Sequence, residues 1–243
     1  ANPCVDVALS GGVRVHAALW PLSSQGTEIS IRIPARHIPT LDDFVVAGVI
    51  SHGEHAFLGD AIAQQKTFLV TGAAGSGKTT MLRTLMTLVD AHHRIIVIED
   101  TAELRIPHPR VVSLETREAN TEGVGEIGVP QLIRQALRMR PDRIVVGECR
   151  GADVVDMFIA FTTGHPGGGS TLHASSLSDV PTRLTALTAL AGLDGSDCAA
   201  LVVSAIDVVV HVVVIEGRRR ISIGRPIIGP RGQLCIEPRV SDA

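Results

Sequence analysis

Aromatic residues are scarce. Phe, Trp and Tyr make up 2% of the 243 residues, with no tyrosine and Trp20 as the lone tryptophan. Base-stacking platforms for single-stranded nucleic acid are therefore not expected. A surplus of positive charge is missing too. The net charge is −3 and the pI about 6.4, so no global basic field argues for a nucleic-acid partner. The four cysteines, Cys4, Cys149, Cys198 and Cys235, form no C-x-x-C pair. Neither a zinc ribbon nor a redox couple is indicated, and free thiols in a reducing cytoplasm are the simpler reading. The longest apolar run, 201–215, is too short to span a bilayer and carries Ser204, Asp207 and His211. No signal peptide is visible, and a start at Ala1 rather than methionine is consistent with a missing native N-terminus.

What the chain does have is apolar bulk, 45% of its residues, enough for a sizeable core in one large domain or one and a half. From residue 66 onward, short apolar runs alternate with helical stretches: "TFLVT", "RIIVIED", "RVVSLE", "DRIVVGE", "STLHA". That alternation predicts an α/β fold, a parallel sheet covered by helices. Residues 1–33 instead alternate with period two around a Gly11-Gly12 turn and predict a small antiparallel sheet. Pro34 and Pro39 mark a linker, 41–50 reads as a helix, and the basic run 218–220 reads as a solvated hairpin tip. The expected division is 1–40, the end of a β-rich N-terminal domain plus linker, and 41–243, the main domain.

The most specific stretch is "FLVTGAAGSGKTTMLRTLM", 68–86. A buried strand runs into a glycine turn, and the turn opens a helix whose apolar spacing is clear from Met81 to Val89. This is the Walker A pattern, Gly72-Ala73-Ala74-Gly75-Ser76-Gly77-Lys78-Thr79-Thr80, in its strand–loop–helix setting. Backbone N–H groups and a helix N-terminus suit a polyphosphate such as ATP. Lys78 would reach the β- and γ-phosphates and Thr79 would ligate Mg²⁺.

Hydrolysis needs a carboxylate to orient or deprotonate water. "RIVVGE" delivers Glu148 and "RIIVIEDTAEL" delivers Glu99, Asp100 and Glu103. Ordinary solvated strand ends would look the same, but carboxyl ends of parallel strands are where ligands bind. Glu148 and Glu103 are the candidate catalytic acids, and Asp100 could touch a metal through water. In "VPQLIRQALRMRPDR", Pro130 suits a first helical position, and Arg134 and Arg138 form a like-charge pair four apart. Arg138 and Arg140 could stabilise a phosphoryl group or bridge to a neighbouring subunit; a solvated basic face remains the alternative. In "TGHPGGGSTLHASS", His165 and His173 flank a glycine stretch, and His173, ending a strand as Glu148 does, is the better candidate to sense a γ-phosphate.

Taken together, "GAAGSGKTT", "VIEDTAELRIPHPRVVSLETR", "ALRMRPDRIVVGECRG" and "TGHPGGGSTLHASS" resemble the Walker A, Asp, Walker B and His boxes of the secretion-superfamily traffic ATPases, in that order. "LETR", "LRMRPDRIVVGECRG" and "AGLDG" look most like the CpaF branch of Tad or Flp pilus assembly, with the type IV secretion branch nearest. The resemblance implies a RecA-like P-loop domain after an N-terminal domain mostly absent here. It implies ATP and Mg²⁺ as cofactors, a hexameric ring, and inner-membrane platform proteins as partners at the cytoplasmic face. It also implies that Arg14 and Arg32 reach the nucleotide phosphates and that Glu103 is the Asp-box carboxylate. A nucleic-acid motor, a nucleotide-gated module without turnover and a small-molecule kinase are the rival readings.

Overall fold

The computed structural model describes residues 3–9, 12–33, 37–117, 119 and 124–239. Gly11 of the expected turn and Pro34 of the expected linker lie outside them. A three-stranded antiparallel sheet comes first: β1 (Cys4–Ala8), β2 (Arg14–Ala18) and β3 (Glu28–Arg32), in that order across the sheet. Period-two alternation puts Val5, Val7, Ile29 and Ile31 on one face, and all four are exposed. The other face carries Arg14 directly opposite Arg32. Like charges so placed repel unless an acid lies between them, and the main domain supplies one.

That domain is built on an eight-stranded sheet, ordered β11-β10-β9-β4-β8-β7-β5-β6. The members are β4 (Phe68–Gly72), β5 (Ile95–Glu99), β6 (Val111–Glu115), β7 (Arg143–Val146), β8 (Gly169–His173), β9 (Val208–Ile215), β10 (Arg218–Ile228) and β11 (Leu234–Pro238). Strands β4 to β9 are mutually parallel, and β10 and β11 add antiparallel pairs at one edge. The fold class expected from the alternation is the one observed. β4, β5 and β7 are buried throughout, which is why they read as unbroken apolar runs.

Helices cover both faces. On one lie α1 (Leu41–Val46), α2 (His52–Ala63) and α3 (Lys78–Thr87), packed through Leu58, Met81, Leu82 and Leu85. On the other lie α4 (Val129–Arg138), α5 (Val154–Thr162), α6 (Val180–Ala189) and α7 (Gly195–Ala205), packed through Ile133, Phe158, Leu184 and Val202. Truncating any of these fully buried leucines to alanine costs about 2–5 kcal/mol.

Local differences from expectation have local causes. The helix expected over 41–50 ends at Val46, and a separate helix begins at His52. Gly48 turns the chain at φ 65°, and Ser51 starts a new helix by a capping box with Glu54. Helix α3 starts at Lys78 rather than Met81, because the Walker lysine and threonines form its first turn. Gly128 caps α4, so Pro130 takes the second helical position. Among the described residues no helix is long and apolar enough to cross a membrane.

Candidate functional site

Because β4 to β9 run in one direction, their carboxyl ends share one edge of the sheet. Strand order then decides who meets whom. Next to β4, which ends in the Walker loop, stands β8, which ends at His173; beyond it β7 leads to Glu148, and beyond that β5 ends at Glu99. Residues scattered over a hundred positions become consecutive along that edge.

The contacts follow this order. Lys78 Nζ donates to the Ala73 carbonyl at 2.9 Å, bracing the loop across its mouth, and lies 3.3 Å from His173 Nδ1. His173 Nε2 stands 2.6 Å from Glu148 Oε1. Since the ammonium can only donate, His173 Nδ1 is the acceptor nitrogen, which leaves the ring proton on Nε2 but not aimed at Oε1. Glu148 Oε2 accepts from Arg150 Nε at 2.6 Å, and Arg150 reaches on to Asp100 Oδ2 at 3.0 Å. Burial pulls the Lys78 ammonium below its ordinary pKa, and Glu148 opposes that pull. Close as it is to His173, Glu148 Oε1 has no aligned hydrogen-bond donor although it is buried. Ser76 Oγ in the loop is orphaned likewise. Buried polar atoms left this way call for water or a ligand group.

The loop geometry depends on Gly72. A Cβ there would sit on the Val212 carbonyl of β9, so only glycine lets the loop leave the strand at this point. Beneath it, the Thr71 hydroxyl and His211 Nδ1 lie 2.9 Å apart, and both residues are buried. Burial first, and Lys78 second, push the His211 pKa down and so favour the neutral ring.

Glu103 faces the N-terminal sheet. Arg14 meets it at 2.8 Å, and Arg32 grips both its oxygens at 3.1 and 3.3 Å. These groups line a cavity of about 220 Å³ with Thr79 and Thr80 of the Walker helix. Of the residues expected at phosphates, Arg14, Arg32, Thr79 and Thr80 thus share one cavity with Glu103. Glu99 holds the segment bearing Glu103: its Oε1 accepts from the backbone N–H of Glu103 and of Leu104, each at 3.1 Å. Burial raises the Glu99 carboxyl to about 7.

Other expected residues are elsewhere. Arg138 and Arg140 precede β7, and His165 precedes β8, so all three lie toward the amino ends of the strands, across the sheet from the Walker loop. Asp100 is paired with Arg150. Cys149 is buried, its thiol pushed up to about 12 by burial, and offers no nucleophile.

The basic run is exposed beside the hairpin turn, as expected, but two of its arginines also hold backbone carbonyls. Arg219 Nε donates to the Ser76 carbonyl at 2.9 Å, and Arg220 binds the Gly48 carbonyl. Two more arginines escaped the sequence reading. Arg83, one turn beyond Thr79, and Arg105, two residues after Glu103, line the Glu103 cavity. The only sequence signal for Arg83 is its i+4 spacing from Thr79 on α3.

A family model described as "Type II/IV secretion system protein" matches residues 5–217. A Mycobacterium tuberculosis protein provisionally named for conjugal transfer is 45% identical over 229 residues, covering 91% of this chain and 65% of its own length. The chain thus spans less than two thirds of that relative. Among solved structures, the VirB11 ATPase of the Brucella suis type IV secretion system, in complex with sulphate, matches with a TM-score of 0.63 at 28% identity, over 92% of this chain and 74% of that one. The pilus retraction motor PilT with bound ADP shares the fold, with a TM-score of 0.66 at 24% identity, over 99% of this chain and 65% of that one.

Proposed function

Since the chain belongs to the type II/IV secretion system protein family, we propose that it binds ATP at the Walker loop and hydrolyses it to drive a membrane secretion or pilus machine. The observation that carries this is the run of contacts from Lys78 through His173 to Glu148, at the mouth of a phosphate-type loop.

Each residue has a task there. Loop amides from Ala73 to Thr80 and the Lys78 ammonium hold the β- and γ-phosphates, a charge-assisted set. The Thr79 hydroxyl would hold Mg²⁺, with Asp100 contacting it through water. That ion, when bound, would neutralise charge building on the transferred phosphoryl group. Glu148 Oε1 accepts a proton of the attacking water, filling its missing hydrogen bond. Glu103 keeps Arg14 and Arg32 within reach of the phosphates. His173 lies between the lysine that holds the γ-phosphate and the acid that holds the water. Loss of that phosphate frees Lys78 to return to His173, and the N-terminal sheet moves with the arginines.

The conjugal-transfer relative and the VirB11 likeness favour type IV secretion. Assembly of a Tad or Flp pilus is the second reading, favoured by "LETR", "LRMRPDRIVVGECRG" and "AGLDG". In either case the working form would be a hexameric ring at the cytoplasmic face of inner-membrane platform proteins, with no nucleic-acid partner. Arg138 and Arg140, remote from their own loop, would then serve a neighbour's site or a partner. Residues 1–40 would be the end of the N-terminal domain plus linker, and 41–243 the motor domain.

Glu148→Gln separates binding from chemistry. The amide keeps the shape and loses the base. ATP affinity by calorimetry should stay near wild type while steady-state phosphate release falls about 10²- to 10⁴-fold. Turnover within a factor of three of wild type would hand the role to Glu103 or another acid.

A further inference from the structure

The Glu103 cavity is electrostatically incomplete. Arg14, Arg32, Arg83 and Arg105 line it against the single carboxylate of Glu103, an excess of three positive charges in a chain whose net charge is −3. Arg14 and Arg32 share that carboxylate between them. Among the described residues nothing accepts a hydrogen bond from Arg83, and its Nε is a buried donor with no partner. Burial and then the neighbouring Arg105 both pull the Arg83 pKa down, as two cations confined together must.

Arg105 is held where it is by construction. Its backbone lies in the left-handed region at φ 37°, uncommon for a side chain of this size. Its guanidinium lies against Gly12, where a Cβ would meet Cζ at 2.7 Å. Gly12, two residues before β2, therefore sets where this exposed guanidinium rests at the cavity rim. Two unpaired guanidinium groups, one with a buried orphan N–H, suit a tetrahedral oxyanion, because planar forks bind phosphate oxygens in pairs.

We propose that Arg83 and Arg105 form a second phosphate subsite, set beside the Walker loop on the same face of α3 as Thr79, which takes a phosphate oxyanion. This rests on the reading of the Walker loop as a nucleotide site only for the source of the anion. That source is either the terminal phosphate of the nucleotide or inorganic phosphate after cleavage.

The test isolates the subsite from the loop. In a Lys78→Ala background, added inorganic phosphate should still raise the thermal midpoint of the full chain, and Arg83→Gln or Arg105→Asn should abolish that rise. With Lys78 intact, ATP and ADP affinities then identify the source. If either variant weakens ATP fivefold or more and leaves ADP within a factor of two, the subsite grips the terminal phosphate. If neither nucleotide changes while the phosphate-induced rise is lost, the subsite takes free phosphate. A rise that disappears with Lys78→Ala alone, or survives both arginine substitutions, overturns the proposal. Equal losses for ATP and ADP also overturn it, since the arginines would then be shaping the loop. Unchanged ADP affinity in Lys78→Ala would instead remove the Walker-loop reading and leave the subsite standing.

Discussion

Glu99 illustrates how one residue can serve position rather than chemistry. It ends β5 with its carboxyl buried, and its Oε1 takes two backbone N–H groups of the segment that bears Glu103. Burial disfavours the charged form and raises its pKa from 4.5 to about 7. Between those values the folded chain keeps a proton that the unfolded chain has lost. Stability from this group is thus fully present below about 4.5 and is lost as pH rises toward 7. Glu99→Gln keeps an acceptor and carries no titrating proton. Denaturant midpoints measured at pH 5 and pH 8 should differ less in the variant than in wild type, by up to a few kcal/mol in unfolding free energy. An unchanged difference would mean that Glu99 is already ionised when folded.

At the scale of elements, the β9–β10 hairpin frames the Walker loop. Its two-residue turn, Glu216 and Gly217, lies at positive φ as tight hairpins require. By alternation Arg219 follows Ile223 and Ile221, which pack under α3, and it emerges at the loop to hold the Ser76 carbonyl. A lost hydrogen bond from a charged donor is worth roughly 1.5 kcal/mol. Arg219→Ala should weaken ATP and ADP alike, about tenfold, and Arg219→Lys should restore part of the loss. If turnover drops while both affinities hold, Arg219 touches the reacting phosphate instead. The sequence shows the hairpin arginines but not their docking, since a basic run reads the same in solvent or against a carbonyl. Parallel strands were legible because burial on both faces writes them as apolar runs, as in β5 and β7. Glu148 was legible for the same reason, since it follows such a run, whereas His173 ends the more polar strand "GSTLH". Strand order was not legible, and it is strand order that sets His173 between Lys78 and Glu148. Arg83 and Arg105, 22 positions apart in sequence, meet only through the fold.

Two surfaces of the whole molecule bear on assembly. The N-terminal sheet exposes Val5, Val7, Ile29 and Ile31 on one face, and contiguous apolar surface of this kind marks contact sites. Arg138 and Arg140 lie too far from their own Walker loop to serve it. In the proposed ring they would act across a boundary, where a cation supplied in trans can raise turnover 10³- to 10⁵-fold. Activity per mole should then climb with protein concentration. The most direct test of the central claim is phosphate release from ATP over a concentration series, for wild type beside Lys78→Ala. The account predicts release above background that rises per mole of wild-type chain as it assembles, and background throughout for Lys78→Ala. Equal release by the two proteins, at any concentration, would contradict hydrolysis at the Walker loop.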